Sequence, residues 1–179
     1  MTKFSKKNYT RIGILGGTFD PPHDGHLYIS KVALKKIKLN KIFWIITKKN
    51  PFKKKPYLSK NKRIELSKKI TKKNKKIFIF FLDDKYKLNN TFNLLNYIKK
   101  KNKKSKLFFL MGADNLIKFH KWYKWNQIPE LAKIVIFSRK SYSVKALNST
   151  AAKKLKKNDW LYVNSRDVNI SSSLIRKVW

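Results

Sequence analysis

His23 and His26 stand three apart in a stretch that also holds three of the chain's five glycines, Gly16-Gly17-Thr18-Phe19-Asp20-Pro21-Pro22-His23-Asp24-Gly25-His26. Imidazoles at that spacing can donate to an anion, move a proton or ligate a metal. The flanks favour the anion. Residues 11–15 read as a short buried strand, and Ile29, Val32, Ala33 and Ile37 recur at helical spacing. A strand, a glycine turn and a helix start are a place for phosphate, because the first helical N–H groups lack intrahelical partners and the helix dipole favours negative charge. Gly16 and Gly17 let the main chain come close to a ligand, Pro21 and Pro22 stiffen the turn, and the two imidazoles share one side of the first helical turn. Zinc stays open as an alternative, although the chain has no cysteine. A plain strand–turn–helix corner would explain the glycines and prolines but not the histidines. A Walker loop and a Gly-x-Gly-x-x-Gly fingerprint are both missing.

Three further groups carry chemistry. In residues 110–125, Gly112 permits close approach and Asp114 can accept from ribose hydroxyls or loop N–H groups. Trp122 and Tyr123 offer flat faces to a base, though with Trp125 they are equally candidates for the core. Lys53, in Asn50-Pro51-Phe52-Lys53, is either a phosphate ligand or part of a solvated run with Lys54 and Lys55. The hydroxyls and N–H groups of Ile170-Ser171-Ser172-Ser173-Leu174-Ile175-Arg176 can clamp a polyphosphate with the arginine, or form an ordinary serine-capped terminal helix.

Gly-Gly-Thr-Phe-Asp-Pro-Pro-His-x-Gly-His resembles the first signature of the nucleotidyltransferases that share a His-x-Gly-His motif with class I aminoacyl-tRNA synthetases. Its opening, with Gly-Ala-Asp at 112–114 and His-Lys-Trp-Tyr-x-Trp at 120–125, resembles bacterial nicotinate-nucleotide adenylyltransferase. Thr91, Asn50 to Lys53, Ser138-Arg139 and the closing Ile-Ser-Ser-Ser-x-Ile-Arg are similar to further family segments, with Leu94, Lys140 and Ser173 as departures. The resemblance implies adenylyl transfer from ATP, accompanied by Mg²⁺, to nicotinate mononucleotide. In that reading Gly16, Gly17, Thr18, Phe19, His23, His26, Gly112, Ser172 and Arg176 meet ATP, and His23, His26 and Arg176 are catalytic. Lys53, Thr91, Asp114, Trp122 and Tyr123 hold the mononucleotide, Trp122 by stacking on the pyridine ring. No protein-held metal is implied. A related transferase such as phosphopantetheine adenylyltransferase shares the first motif but not the 112–125 segment.

The elements that must position these residues alternate. Strands read at 11–15, 41–46, 77–82, 107–111, 134–137 and 160–163; helices read at about 24–38, 60–73, 91–101 and 147–157, with short turns after 112 and 171. That order predicts a Rossmann-like, doubly wound α/β fold with a parallel sheet of five to six strands and helices on both faces, in a single domain over residues 1–179. The ends of the first and fourth strands, at Gly16 and Gly112, would then flank the crevice where strand order reverses.

The net charge of +36 rests on 40 lysines and five arginines. The lysines lie in every loop, and lysine, asparagine, isoleucine and phenylalanine all have A/T-rich codons. Compositional drift therefore accounts for the charge better than a dedicated nucleic-acid face, which concentrates its cations and uses arginine. No apolar run is long enough to span a membrane and no secretory h-region follows the basic start, so a cytoplasmic protein without a membrane partner is expected. All three histidines and all five glycines fall in or beside the motif segments.

Overall fold

A computed structural model describes residues 9–48, 55–81, 88–165 and 171–177. Lys53 lies outside the described residues. Six strands form one sheet: β1 (Thr10–Gly17), β2 (Lys41–Ile46), β3 (Ile77–Phe81), β4 (Ser105–Gly112), β5 (Lys133–Phe137) and β6 (Trp160–Val163). Their order is β3-β2-β1-β4-β5-β6 and every neighbouring pair is parallel. The expected doubly wound sheet is therefore present. Chain order reverses between β1 and β4, whose register sets Leu15 beside Leu110. Both strands are buried on both faces, as their near-continuous apolar runs require.

Side chains alternate between two cores. On one face, Leu15, Trp44, Ile46 and Leu110 pack beneath α1 (Asp24–Lys36) and α2 (Lys60–Thr71). On the other, Ile12, Ile14, Ile45 and Phe109 pack beneath α3 (Thr91–Lys101), α4 (Ala113–Phe119), α5 (Ile128–Leu131), α6 (Ser143–Leu147) and α7 (Thr150–Lys154). The chain closes on α8 (Ser172–Ile175). Gly13 serves packing: a Cβ there would stand 2.7 Å from Leu39 Cδ1 and 3.2 Å from Leu110 Cδ1.

Two expectations change. The lysine-rich helix expected over about 147–157 is instead the pair α6 and α7. Ser149 separates them, because its side chain accepts from Ala152 N and starts a new helix. Residues 60–73 read as a helix that Ser59 could cap, with Ile64, Leu66 and Ile70 as its apolar positions; the helix does form, and the Ser59 side chain accepts from Lys62 N. Its fully buried stripe, however, is Arg63, Ser67 and Thr71, while Ile64 and Ile70 are only partly buried. Ser67 and Thr71 satisfy their hydroxyls on the carbonyls of Arg63 and Ser67, each at 2.7 Å, so these two hydroxyls are buried at little cost.

Candidate active site

A cleft of about 240 Å³ opens at the carboxyl ends of β1 and β4, many times the room a water needs. Its walls include Gly16, Gly17, Thr18, Phe19, His23 and His26 from the β1–α1 turn, and Gly112, Asp114 and Trp122 from the β4 side. Ser171, Ser172 and Ser173 close it from the C-terminal turn. Residues separated by more than 150 positions are thus brought to one crevice.

The β1–α1 turn sets the imidazoles. His23 is the N-cap of α1, and its Nδ1 accepts from Gly25 N at 3.1 Å. His26 Nδ1 reaches back to accept from His23 N at 3.3 Å, completing a capping box made of two histidines. An Nδ1 that accepts carries no proton, so each neutral ring bears its proton on Nε2 and can donate from there. The rings lie 3.9 Å apart between centroids. Behind them Phe19 (1% exposed) packs between His26 at 4.7 Å and Trp44 at 4.8 Å. Trp44 Nε1 donates to Ser30 Oγ, which donates to His26 O, both at 2.8 Å. Phe19 takes this position with φ of 49°, a left-handed conformation that is costly for a bulky residue and persists where surroundings hold it.

Neither Gly16 nor Gly17 has a positive φ. Gly16 is exposed, and a Cβ there would meet only Phe109, at 4.0 Å. Its missing side chain therefore leaves the main chain open to the cleft, as the motif led us to expect. Gly112 is tighter, with a Cβ 2.5 Å from Asp114 Oδ1. Asp114 Oδ2 pairs with Arg139 Nη1 at 3.2 Å, and Arg139 also lines the cleft.

The turn rests on a second layer. Arg63, 3% exposed, donates from Nη1 to Thr18 O and Thr47 O, each at 2.7 Å, tying the glycine turn to the end of β2. Burial pushes its guanidinium below the ordinary arginine range, and the nearby charge of Asp20 opposes that shift. The Asp20 carboxylate accepts from Tyr57 N at 2.9 Å and Leu58 N at 2.8 Å. Ser172 Oγ donates to Pro21 O at 2.9 Å, and Arg176 Nη1 donates to Asp20 O.

Not every expected residue stands on the cleft wall. Trp122 does, while also packing edge-on against Phe109 and Phe119, so it serves both core and cleft. Tyr123, 54% exposed, Thr91 and Arg176 are not among the lining residues. Thr91 opens α3 behind its cap Asn90, and the next residue, Phe92, meets Tyr123 edge-on at 6.2 Å, so these two expected positions lie close together. Sequence reading passed over Arg63. The available signal was its type, one of five arginines among 40 lysines. Both of its carbonyl contacts leave the one nitrogen Nη1.

A parallel sheet with a His-x-Gly-His turn at its switch point is the architecture of a nucleotidyltransferase, and the cytidylyltransferase-like family model matches residues 14–178. A protein of Pelagibacter ubique (strain HTCC1062), named "Probable nicotinate-nucleotide adenylyltransferase", is 48% identical over 169 residues, which cover 94% of this chain and 93% of that one. One of the same name from Bradyrhizobium sp. (strain ORS 278) is 35% identical over 81% of this chain and 76% of its own. The chain belongs to the nicotinate-nucleotide adenylyltransferase family. In fold it matches the Plasmodium falciparum nicotinic acid mononucleotide adenylyltransferase complexed with NaAD (TM-score 0.75, 21% identity, 94% of this chain and 83% of that one).

Proposed function

We propose that the protein transfers the adenylyl group of ATP to nicotinate mononucleotide, releasing pyrophosphate and forming nicotinate adenine dinucleotide for NAD synthesis. The observation that carries this reading is the double-histidine capping box. It leaves a proton on Nε2 of each neutral ring, in a cleft that Gly16, Gly17 and Gly112 and the hydroxyl residues Thr18, Ser171, Ser172 and Ser173 also line.

A phosphate of the mononucleotide attacks the α-phosphorus of ATP in line; the new P–O bond forms as the bond to the β-phosphate oxygen breaks. The attacking phosphate is already an anion at neutral pH, so the step requires no general base. Catalysis becomes the placing of two anions end to end and the stabilising of charge on the transferring group. His23 and His26 donate to the α- and β-phosphate oxygens from Nε2. Gly16, Gly17, Thr18 and Phe19 bring main chain to the nucleotide, and Gly112 and Ser172 close around it. On the other side Asp114 and Trp122 hold the mononucleotide, Trp122 by its ring face, with Thr91 and Tyr123 behind them and Lys53 at the phosphates. Mg²⁺ accompanies the triphosphate and supplies further charge neutralisation. Among the described residues no group of three or more His, Cys, Asp or Glu could hold a metal; the cleft's donors suit phosphate oxygens, with which the ion would travel. No helix among the described residues is long and apolar enough to cross a membrane, and we place the reaction in the cytoplasm.

The test is to incubate the protein with ATP, Mg²⁺ and either nicotinate or nicotinamide mononucleotide and follow pyrophosphate and dinucleotide. Release that depends on nicotinate mononucleotide supports the reading; release with neither mononucleotide, or with nicotinamide mononucleotide alone, overturns it.

A further inference from the structure

Asp20 is the one acid among the described residues that is buried, at 5% exposure. Three distant parts of the chain meet on it. It belongs to the β1–α1 turn, its carboxylate accepts the N–H groups of Tyr57 and Leu58 ahead of α2, and its Oδ2 lies 3.4 Å from Arg176 Nη1. Arg176 also gives Nη1 to Asp20 O and Nη2 to Ser173 Oγ at 3.3 Å. The planar guanidinium therefore spans Asp20 and Ser173, and Ser171, Ser172 and Ser173 line the cleft. Beside it, Ser172 Oγ donates to Pro21 O. The C-terminal turn is pinned at both residues to the same short piece of the glycine turn, 151 and 156 positions earlier.

We infer that Asp20 is a positioning residue for the ATP side of the cleft, acting through Arg176 to hold the three serines at its mouth. The inference rests on the proposed function in that ATP occupies the cleft. A buried carboxylate beside a half-buried guanidinium compensates its charge. The fork is thus committed to protein oxygens, and Arg176 works by geometry, in place of the direct phosphate contact that the motif led us to expect. A direct phosphate ligand that Asp20 merely restrained would have the opposite sign: removing the Asp20 charge would release the cation toward ATP and tighten binding.

The sign decides between them. Steady-state KM for ATP and for nicotinate mononucleotide, with ATP affinity by equilibrium dialysis, would be measured for wild type, Asp20→Asn, Arg176→Met and the double variant. Asp20→Asn is expected to weaken ATP about tenfold, the scale of one lost charge-assisted contact, and to leave the mononucleotide KM within twofold. The double variant should be no weaker than the weaker single, because both remove one linkage. Tighter or unchanged ATP binding in Asp20→Asn, or effects that multiply, overturns the inference, as does a lower melting temperature with both KM values unchanged. Should Asp20→Asn fail to fold, Arg176→Lys carries the test alone. Lysine keeps the charge and loses the fork, so ATP binding should weaken by a similar factor, and ATP binding within twofold of wild type overturns the inference. Wild type that neither binds ATP nor releases pyrophosphate overturns the proposed function itself, which these variants do not test.

Discussion

A neutral imidazole donates from one nitrogen and accepts at the other, so whatever occupies Nδ1 decides what Nε2 can do. In His23 and His26 that occupant is backbone N–H, from Gly25 and from His23 itself. The same two contacts that start α1 therefore prepare both rings as donors, which is why Asn or Ser, adequate as caps, would not serve here. His26→Ala should lower kcat by about 10²–10³-fold, the usual effect of deleting one donor to developing charge. Loss of its half of the capping box costs about 1 kcal/mol, or about 2–4 °C in a chain of this size. Pyrophosphate release and a thermal melt check the two together, and a kcat near wild type in a folded variant would remove His26 from the mechanism. The described arginines show the same economy of position: Arg11 donates to Ile37 O, Arg63 to two carbonyls, Arg139 pairs with Asp114 and Arg176 with Asp20. Where lysine is the default cation, each described arginine has a fixed oxygen partner.

Among the elements, β1 and β4 matter most, because strand order reverses between them and their carboxyl ends open the crevice. The glycine turn that β1 feeds is held from below by α2. Arg63, Ser67 and Thr71 lie at helical spacing on the buried face, and Arg63 joins Thr18 O to Thr47 O. Arg63→Met would keep the volume and leave both carbonyls without that donor, at about 1–3 kcal/mol for each that finds no replacement. A melting temperature lower by about 5–10 °C is expected, read by calorimetry; an unchanged melt would show that the turn is held by other contacts. This stripe was not legible in advance, since an apolar-periodicity reading looks for Ile64, Leu66 and Ile70 and has no means of seeing that a buried arginine finds carbonyls on two other segments. The β2 and β6 boundaries, by contrast, were read to the residue, because short apolar runs between polar breaks leave little latitude.

Taken whole, the molecule is a cation of +36 surrounding an anion site. Long-range attraction raises the local concentration of ATP and nicotinate mononucleotide and is screened beyond a Debye length, about 8 Å at physiological ionic strength. The KM for ATP should therefore rise several-fold between about 20 and 300 mM salt, ranges spanning strong and weak screening, while kcat changes little. Retention on a generic single-stranded oligonucleotide should vanish over the same range. Oligonucleotide binding that survives physiological salt would give the lysines a purpose of their own.

From residue order alone came the alternation of strands and helices, the parallel sheet, and the glycines and histidines of the crevice. Those signals are local: periodicity, breakers and capping residues act over a few positions, and rare residue types stand out against a lysine-rich background. Folding decided the partners. Asp20 meets Arg176 across 156 positions, Asp114 meets Arg139 across a strand pair, and Arg63 meets Thr18 and Thr47 from a helix that follows both in the chain. Such pairs are set by where the chain returns in space, and that depends on the packing of both cores at once.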